Sequence, residues 1–512
     1  MRRGAWLALA LSATLSAPGC SAEPDGPRLV VLYATCTLNK DYTAAYDETV
    51  SYTPNLDRFA AESMVLERHQ TEAGQSGPAF ASIFTGVHAD RHGIYNHPTW
   101  LVDDVVTVAE TFRDAGWETW FFNKHAAASP RLNFGQGVDE ARTASPAGYD
   151  ELARELLPRV LERLDQNPKS RSFVQLNFTV THSPYHNRPD LSDIRAFLAA
   201  HPDQSTDVTD AELERYHALF LENHLALQWS FPETIAELGL GAQEVERLSE
   251  VLELIYKTSV HELDRLFGEF VAKIHEAGLD DQTVFLFTAD HGEVLYRESA
   301  LFKWTHGGQL APEVLNVPCL VRAPGVEPGR YPAVTRSIDV FPTLVGLAGL
   351  PPLAPGTVDG VDLSPALRGE TSAPELLARS HTCIVNPVAL QQVKNWPLLS
   401  KVSPLDDVNR VWASIRQGDL VAKLVRLGEA TPGSAPNQPE WTLQVFDLGE
   451  DPHETRNLYD GSPEHNALGE QLQAYKLRLS EQRAYHVATN KAQQQLDAKR
   501  KARILRDLGY IK

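Results

Sequence analysis

Five short runs of β-branched and apolar residues constrain this chain more than any other feature. They lie at 28–35 (RLVVLYAT), 119–122, 172–180 (SFVQLNFTV), 283–288 (TVFLFT) and 317–321. The first is nearly continuous in β-branched and apolar residues and the others are similar, the pattern of a strand covered on both faces. Helical patterns lie between them, at 55–63, 106–115, 149–166 and 247–277. That alternation predicts an α/β fold with a large, mostly parallel central sheet flanked by helices. The acidic stretch from about 190 to 240 reads as a helical, exposed insertion. The Pro/Gly-rich stretch 323–360 reads as loops around one helix at 337–346. Beyond 376 the pattern shifts to short alternating strands, including 441–446. The expected division is a main domain over 28–376, a small C-terminal α+β subdomain over 377–480 and a charged helical tail over 481–512.

The N-terminus stands outside that fold. Arg2 and Arg3 precede an apolar run, 5–15, too short to span a bilayer, and small residues then lead to Cys20. This resembles a bacterial lipoprotein signal. The expectation is a signal peptide over 1–20, a lipid on Cys20, a polar tether over 21–27, and an exported protein anchored in a membrane of the cell envelope. With Cys20 lipidated, only Cys36, Cys319 and Cys383 remain, so at most one internal disulfide can form. Acidic residues outnumber basic ones, 67 to 47, for a net charge of −20 over 512 residues, which disfavours a nucleic-acid partner. An anionic substrate then needs a local cationic site that overcomes the global field.

Reactive residue types sit where the strands end, which is where open α/β sheets bind ligands. Cys36 and Thr37 follow the first run, Lys124 and His125 the second, His182 the third, and Asp290 and His291 the fourth. Four such clusters in one chain point to a shared pocket. Asp290-His291-Gly292-Glu293 places a carboxylate and an imidazole within reach of one divalent cation, with Gly292 allowing a sharp turn. The alternative is a turn whose aspartate caps a helix. Lys303 and His306 add a cation and an imidazole further on. Ser76 precedes Pro78 at a helix start, where the positive end of the helix dipole favours an anionic group. A plain N-capping serine fits those residues equally well.

Several motifs together resemble those of the sulfatase family in the alkaline-phosphatase-like superfamily. Residues 53–60 (TPNLDRFA) are similar to its TPNLDRLA helix start. Residues 76–86 followed by 90–93 resemble its signature C/S-x-P-S-R-A-S-L-L-T-G and the R-H-G beyond it. Residues 116–124, 182–184, 288–292 and 306–318 resemble its G-Y-x-T-x-x-x-G-K, H-x-P, T-x-D-H-G and H-G-x-x-L-x-x-E-x-x-x-V-P landmarks. So do 337–348, 445–458 and 505–511.

The resemblance implies hydrolysis of a sulfate ester, or of a related phosphate or phosphonate ester, including esters on sulfated glycans. It implies one divalent metal, calcium by family habit, held by Asp290, His291 and the residue at position 36. It aligns Ser76 with the family nucleophile, a formylglycine made from Cys or Ser. Lys124, His182 and Lys303 carry over as contacts to the anion and leaving group, with His182 a general acid where its pKa is near neutral. His125 and His306 carry over as substrate contacts. Two positions depart from the pattern. Cys36 stands where an acidic metal ligand is usual, which brings in zinc or manganese as alternatives. Phe80 stands at the signature arginine, which argues against conversion of Ser76 to formylglycine and for an unmodified hydroxyl nucleophile. Two other activities remain open: a degenerate envelope lipoprotein that binds an anionic glycan, and a transferase passing a phosphoryl-alcohol group through Ser76.

Overall fold

The computed structural model describes residues 26–143, 152–185, 189–229, 231–297, 303–382, 412–426, 441–491, 500, 502–503 and 506. Cys20, Cys383, the signal segment and most of the tether and tail lie outside the described residues.

Strand β1 (Leu29–Thr35) runs through the centre. Its alternate side chains divide between two apolar layers, with Leu29, Val31 and Tyr33 on one face and Val30, Leu32 and Ala34 on the other. Around it lie β2 (Met64–Gln70), β3 (Glu118–Asn123), β4 (Glu140–Thr143), β5 (Ser172–Phe178), β6 (Thr283–Ala289), β7 (Cys319–Arg322) and β8 (Gly329–Arg336). They form one eight-stranded sheet in the order β4-β3-β5-β1-β6-β7-β2-β8. Only β7 runs against its neighbours β6 and β2; the other pairs are parallel. Between β6 and β7 the described residues carry one short helix, Pro312–Leu315, and β7 returns antiparallel to β6.

Helices cover both faces: α1 (Pro54–Ala61), α2 (Ser76–Thr85), α3 (Val108–Asp114), α4 (Leu157–Gln166), α5 (Leu191–Ala200), α6 (Asp210–Trp229), α7 (Phe231–Leu238), α8 (Ala242–Glu276) and α9 (Val340–Leu347). In α8 the residues Leu248, Leu252, Ile255, Ser259, Leu263, Phe267, Phe270 and Ile274 recur every three or four positions and are all buried. The Phe267 and Phe270 rings lie 5.3 and 5.6 Å from that of Tyr33, edge-on. Each such buried side chain contributes roughly 1.5–3 kcal/mol by leaving water.

Three strands were not expected. β4 and β8 are sheet edges with exposed positions, and β8 carries Pro332, which an edge tolerates. β2 carries Glu67, Arg68 and His69 in a pattern without a continuous apolar run. The 190–240 insertion is helical, as expected, but not wholly exposed: Tyr216, Phe220 and Leu227 are buried in the same core layer as α8.

The C-terminal part forms a four-stranded antiparallel sheet, ordered β12-β11-β10-β9, from β9 (Leu377–Thr382), β10 (Trp412–Gln417), β11 (Leu420–Arg426) and β12 (Trp441–Asp447). The long helix α10 (Pro463–Thr489) lays Leu468, Leu472, Tyr475 and Leu479 on Ala413, Ile415, Ala422 and Val445. The small sheet meets the large one just before Ser76: Ser380 Oγ donates to Thr71 O at 2.6 Å, and Gln70 Nε2 donates to Ser380 Oγ at 2.8 Å.

Candidate active site

Because β1, β2, β3, β5 and β6 point the same way, their carboxyl ends gather Cys36, Ser76, His125, His182, Asp290 and His291 at one edge of the sheet. All of these except the half-buried His182 are fully buried, and His182 follows the end of β5.

Asp290 is fixed through its backbone, which donates to Thr35 O at 2.9 Å and accepts from the Thr71 hydroxyl at 2.5 Å. Its Oδ1 accepts from the N–H groups of Thr37 (3.0 Å) and His291 (2.7 Å), while Oδ2 has no hydrogen-bond partner. Burial raises this carboxyl above its usual range, against the pull of His291. Thr37 occupies the left-handed region, φ 62°, a costly conformation for a β-branched residue. Tyr256 of α8 holds it, donating its hydroxyl to Thr37 O at 2.9 Å. Tyr185 (φ 64°) and Trp304 (φ 51°) share that conformation in two other loops of the site.

Cys36 Sγ lies 3.0 Å from Thr37 Oγ1 and 3.4 Å from Ser76 Oγ. Burial, with Asp290 second, pushes its thiol well above the usual range. Ser76 opens α2, and its Oγ is 3.0 Å from His291 Nε2. His291 Nδ1 is 3.0 Å from Gly292 O. A carbonyl can only accept, so Nδ1 carries the proton and Nε2 presents its lone pair, toward which the Ser76 hydroxyl donates. Gly292 is required for closeness rather than for a left-handed turn: a Cβ there would sit 2.0 Å from Glu313 O.

The other imidazoles can be assigned the same way. His182 Nδ1 donates to Ser183 O at 2.7 Å, and burial lowers its pKa to about 4. It is therefore neutral near pH 7, with the lone pair on Nε2, and does not meet the near-neutral condition for a general acid in this state. His125 is reversed: its Nδ1 accepts the Ala127 N–H at 3.2 Å, so its proton is on Nε2, which has no hydrogen-bond partner. His125 thus offers the pocket a donor. The His306 ring stacks on that of His291 at 4.2 Å, and its Nδ1 is 3.5 Å from Glu293 Oε2. Burial drives the pKa of His306 well down and that of Glu293 well up.

The lysines are placed differently. Lys124 is half-buried beside His125. Lys303 is nearly buried, with its ammonium 5.6 and 5.7 Å from the centres of the Phe231 and Tyr296 rings.

Sequence reasoning missed several contributors. His97 is buried against the start of α2, where a Cβ on Gly77 would come 3.0 Å from its Cβ, and its pKa falls to about 3 through burial and then His182. No motif marked it. Glu293 lay inside the Asp-His-Gly-Glu run without a role. Gln228 of α6 donates to Ser183 Oγ and to Trp304 O, both at 2.6 Å, so the insertion clips the His182 turn to the segment carrying Lys303.

The chemistry of these donors suits a divalent cation. Cys36, Asp290 and His125 place ligand-type atoms within 4.8 Å of one another, and Asp290 Oδ2 is a buried anionic oxygen without a partner. Proton placement favours His291 over His125 as the nitrogen ligand, because a metal-bound imidazole donates its other N–H, as His291 does to Gly292 O.

A mostly parallel sheet covered on both faces, with a buried polar pocket at its carboxyl edge, defines a protein of the alkaline-phosphatase-like class. A family model described as Sulfatase matches residues 28–350, and the chain belongs to the sulfatase family, whose members are sulfuric ester hydrolases and typically metal-dependent. The endo-4-O-sulfatase of Bacteroides thetaiotaomicron is 25% identical over 368 residues, covering 61% of this chain and 66% of that protein. Human arylsulfatase A is 26% identical over 507 residues, covering 92% and 91%. Among solved structures, a complex with the substrate D-glucosamine-2-N,6-O-disulfate aligns with a TM-score of 0.64 at 15% identity, covering 89% of this chain and 98% of that one. The phosphonate monoester hydrolase of Silicibacter pomeroyi aligns at 0.59 and 19% identity, covering 88% and 95%. At these identities the structural likeness is one of fold.

Proposed function

We propose that this chain hydrolyses an anionic ester, a sulfate ester first and a phosphate or phosphonate ester second, through the unmodified hydroxyl of Ser76. The observation that carries the reading is the placement of Ser76 Oγ, at the start of the buried helix α2, 3.0 Å from His291 Nε2 and 3.4 Å from Cys36 Sγ. In the first step the Ser76 hydroxyl gives up its proton and a bond forms between its Oγ and the sulfur or phosphorus while the bond to the leaving oxygen breaks, that oxygen leaving as the alcohol with the proton; a water oxygen then displaces Ser76 Oγ, which regains a proton as the anion departs. The N-terminal N–H groups of α2 and the Nε2–H of His125 stabilise charge on the transferring group. Lys124, Lys303, His182 and His306 serve the anion and the leaving oxygen. Asp290, Cys36 and His291 would hold a divalent ion, which would supply polarisation of the ester oxygens.

Phe80 supports the unmodified serine: it stands at the signature arginine and packs its ring 5.4 Å from that of His125. The relatives that act on sulfated sugars support a sulfated glycan as the substrate class. Lipidation at Cys20 and envelope anchoring belong to the same proposal, as does the division at about residue 376.

Turnover on aryl sulfate, glycan sulfate, phosphodiester and phosphonate esters tests the activity; no turnover on any of them rejects it in favour of an anionic-glycan binder. Mass spectrometry of the Ser76 peptide from native-host protein tests the nucleophile, and an aldehyde there refutes the hydroxyl. A stable phosphoryl-alcohol adduct on Ser76 would mark a transferase. Membrane fractionation of Cys20→Ser against wild type tests the anchor.

A further inference from the structure

We infer that this pocket is built for a zinc-type ion held through the Cys36 thiolate, and not for calcium. The inference rests on reading the pocket as a metal-dependent ester-hydrolysis centre, and it assigns which metal the residues select.

Calcium takes six to eight oxygens, chiefly carboxylates and carbonyls. Among the described residues, ligand-type atoms of Cys36, His125 and Asp290 lie within 4.8 Å of one another, with His291 Nε2 3.5 Å from Asp290 Oδ2 and Ser76 Oγ beside both Cys36 and His291. Half of the Asp290 carboxylate is already used, because Oδ1 accepts two backbone N–H groups. Within that group Asp290 Oδ2 is the anionic oxygen left without a hydrogen-bond partner, while the other buried carboxyl of the pocket, Glu293, lies against His306. That is too few hard donors for calcium.

The same atoms suit a borderline-soft ion. Zinc takes sulfur, nitrogen and oxygen in a four-coordinate shell, and reaction centres keep one position open beside three protein ligands. Cys36 Sγ, Asp290 Oδ2 and His291 Nε2 are one of each type. His291 carries the outer hydrogen bond expected of a ligand, Nδ1–H to Gly292 O at 3.0 Å. Its Nε2 is 3.5 Å from Asp290 Oδ2, near the roughly 3.4 Å edge of a tetrahedral shell with bonds of about 2.1 Å. Ser76 Oγ lies 3.4 Å from the sulfur and 3.0 Å from Nε2, so the nucleophile borders the open position.

The two departures from the family pattern are linked by this assignment. A thiolate and a carboxylate together balance a dication. The neutral ring of Phe80 replaces a guanidinium that would add positive charge beside it. The same ring lies against His125, whose protonated Nε2 remains a donor to the anion and not a ligand.

The test uses the full chain, stripped with a chelator and titrated with cobalt(II). The expected result is one ion per chain, with a thiolate-to-cobalt charge-transfer band and the visible absorption of a low-coordinate ion. Zinc should displace it and a large excess of calcium should not. Cys36→Ser should abolish the band and weaken binding by more than the roughly 10–100-fold that losing an outer hydrogen-bond partner costs. Cys36→Asp, checked for folding by circular dichroism, should lose the band and shift preference toward calcium. A band that persists in Cys36→Ser, or displacement by calcium in the wild type, overturns the assignment. Ester turnover is scored separately: a Cys36-dependent band without turnover keeps the metal assignment and sinks the hydrolase reading. Turnover with calcium and no band does the reverse.

Discussion

Two groups of histidines, one at the small sheet and one in the pocket, differ in how fully their ring nitrogens are paired. Under the small sheet, His88 Nδ1 donates to Glu72 Oε2 at 2.7 Å, and its Nε2 accepts from Arg379 at 3.4 Å. His92 accepts the Ile94 N–H at Nδ1 (3.0 Å) and donates from Nε2 to Ser82 Oγ (3.1 Å). His486 of α10 binds Asp90 O at 3.0 Å. These imidazoles join the two sheets and the long helix. In the pocket, neither ring nitrogen of His306, neither oxygen of Glu293 and not Asp290 Oδ2 has a hydrogen-bond partner. Buried polar atoms are costly when unsatisfied, so a group of them at one edge marks where a ligand belongs. His381 is the exception in the first group: neither nitrogen is bonded, and the ring lies 5.9 Å from that of Tyr95.

The largest expected effect separates the groups by function. Ser76→Ala should cut turnover by about 10⁴-fold or more, roughly 5.5 kcal/mol of barrier, with an unchanged circular dichroism spectrum. Glu72→Gln should leave kcat per folded molecule within about threefold. If the two variants lose activity equally, the distinction between a reactive and a structural cluster fails.

The next effect separates them by stability. Glu72 accepts a 2.7 Å bond from a buried imidazole, so Glu72→Gln should destabilise by about 1–3 kcal/mol in urea unfolding. Glu293 is buried with no hydrogen-bond partner, so Glu293→Gln removes a desolvated carboxyl and should leave stability unchanged or higher while lowering turnover. The same chemical change then has opposite signs in the two places. A comparable loss of stability in both would show that Glu293 is a structural group.

Much of this was legible in the sequence for one reason: strands covered on both faces are rich in apolar residues, and reactive polar residues follow at their carboxyl ends. That pattern alone places Cys36, His125, Asp290 and His291 at one edge of the sheet. It failed for β4 and β8, because an edge strand has only one neighbour and need not be apolar. It failed for the buried side of the insertion, because acidic residues on the outer face of α6 outweigh Tyr216, Phe220 and Leu227 in composition. His97 and Gln228 were invisible because their roles come from packing against segments far away in the chain. The proton placement on His125 and His291 depends on a single backbone carbonyl or N–H each, which no residue pattern encodes.

The smallest effect tests the exception. Burial lowers the pKa of His381 to about 3, from about 6.5 when unfolded. The unfolded chain therefore binds one more proton than the native state between those values. The stability gained from keeping this ring neutral is complete above pH 6.5 and is lost as pH falls toward 3. The slope is about 1.4 kcal/mol per pH unit for each such histidine. His69, which burial also lowers to about 3, adds a second. His381→Phe keeps the ring beside Tyr95 and removes one titrating group. Urea unfolding at pH 5 and pH 6 should then show stability falling by about 1.4 kcal/mol less per pH unit than in wild type, with little change in turnover at pH 7.5. An unaltered slope would mean that His381 is charged in the native state. The seam under the small sheet would then hold an unpaired imidazolium, and an unsatisfied histidine would no longer distinguish the reactive pocket from the structural one.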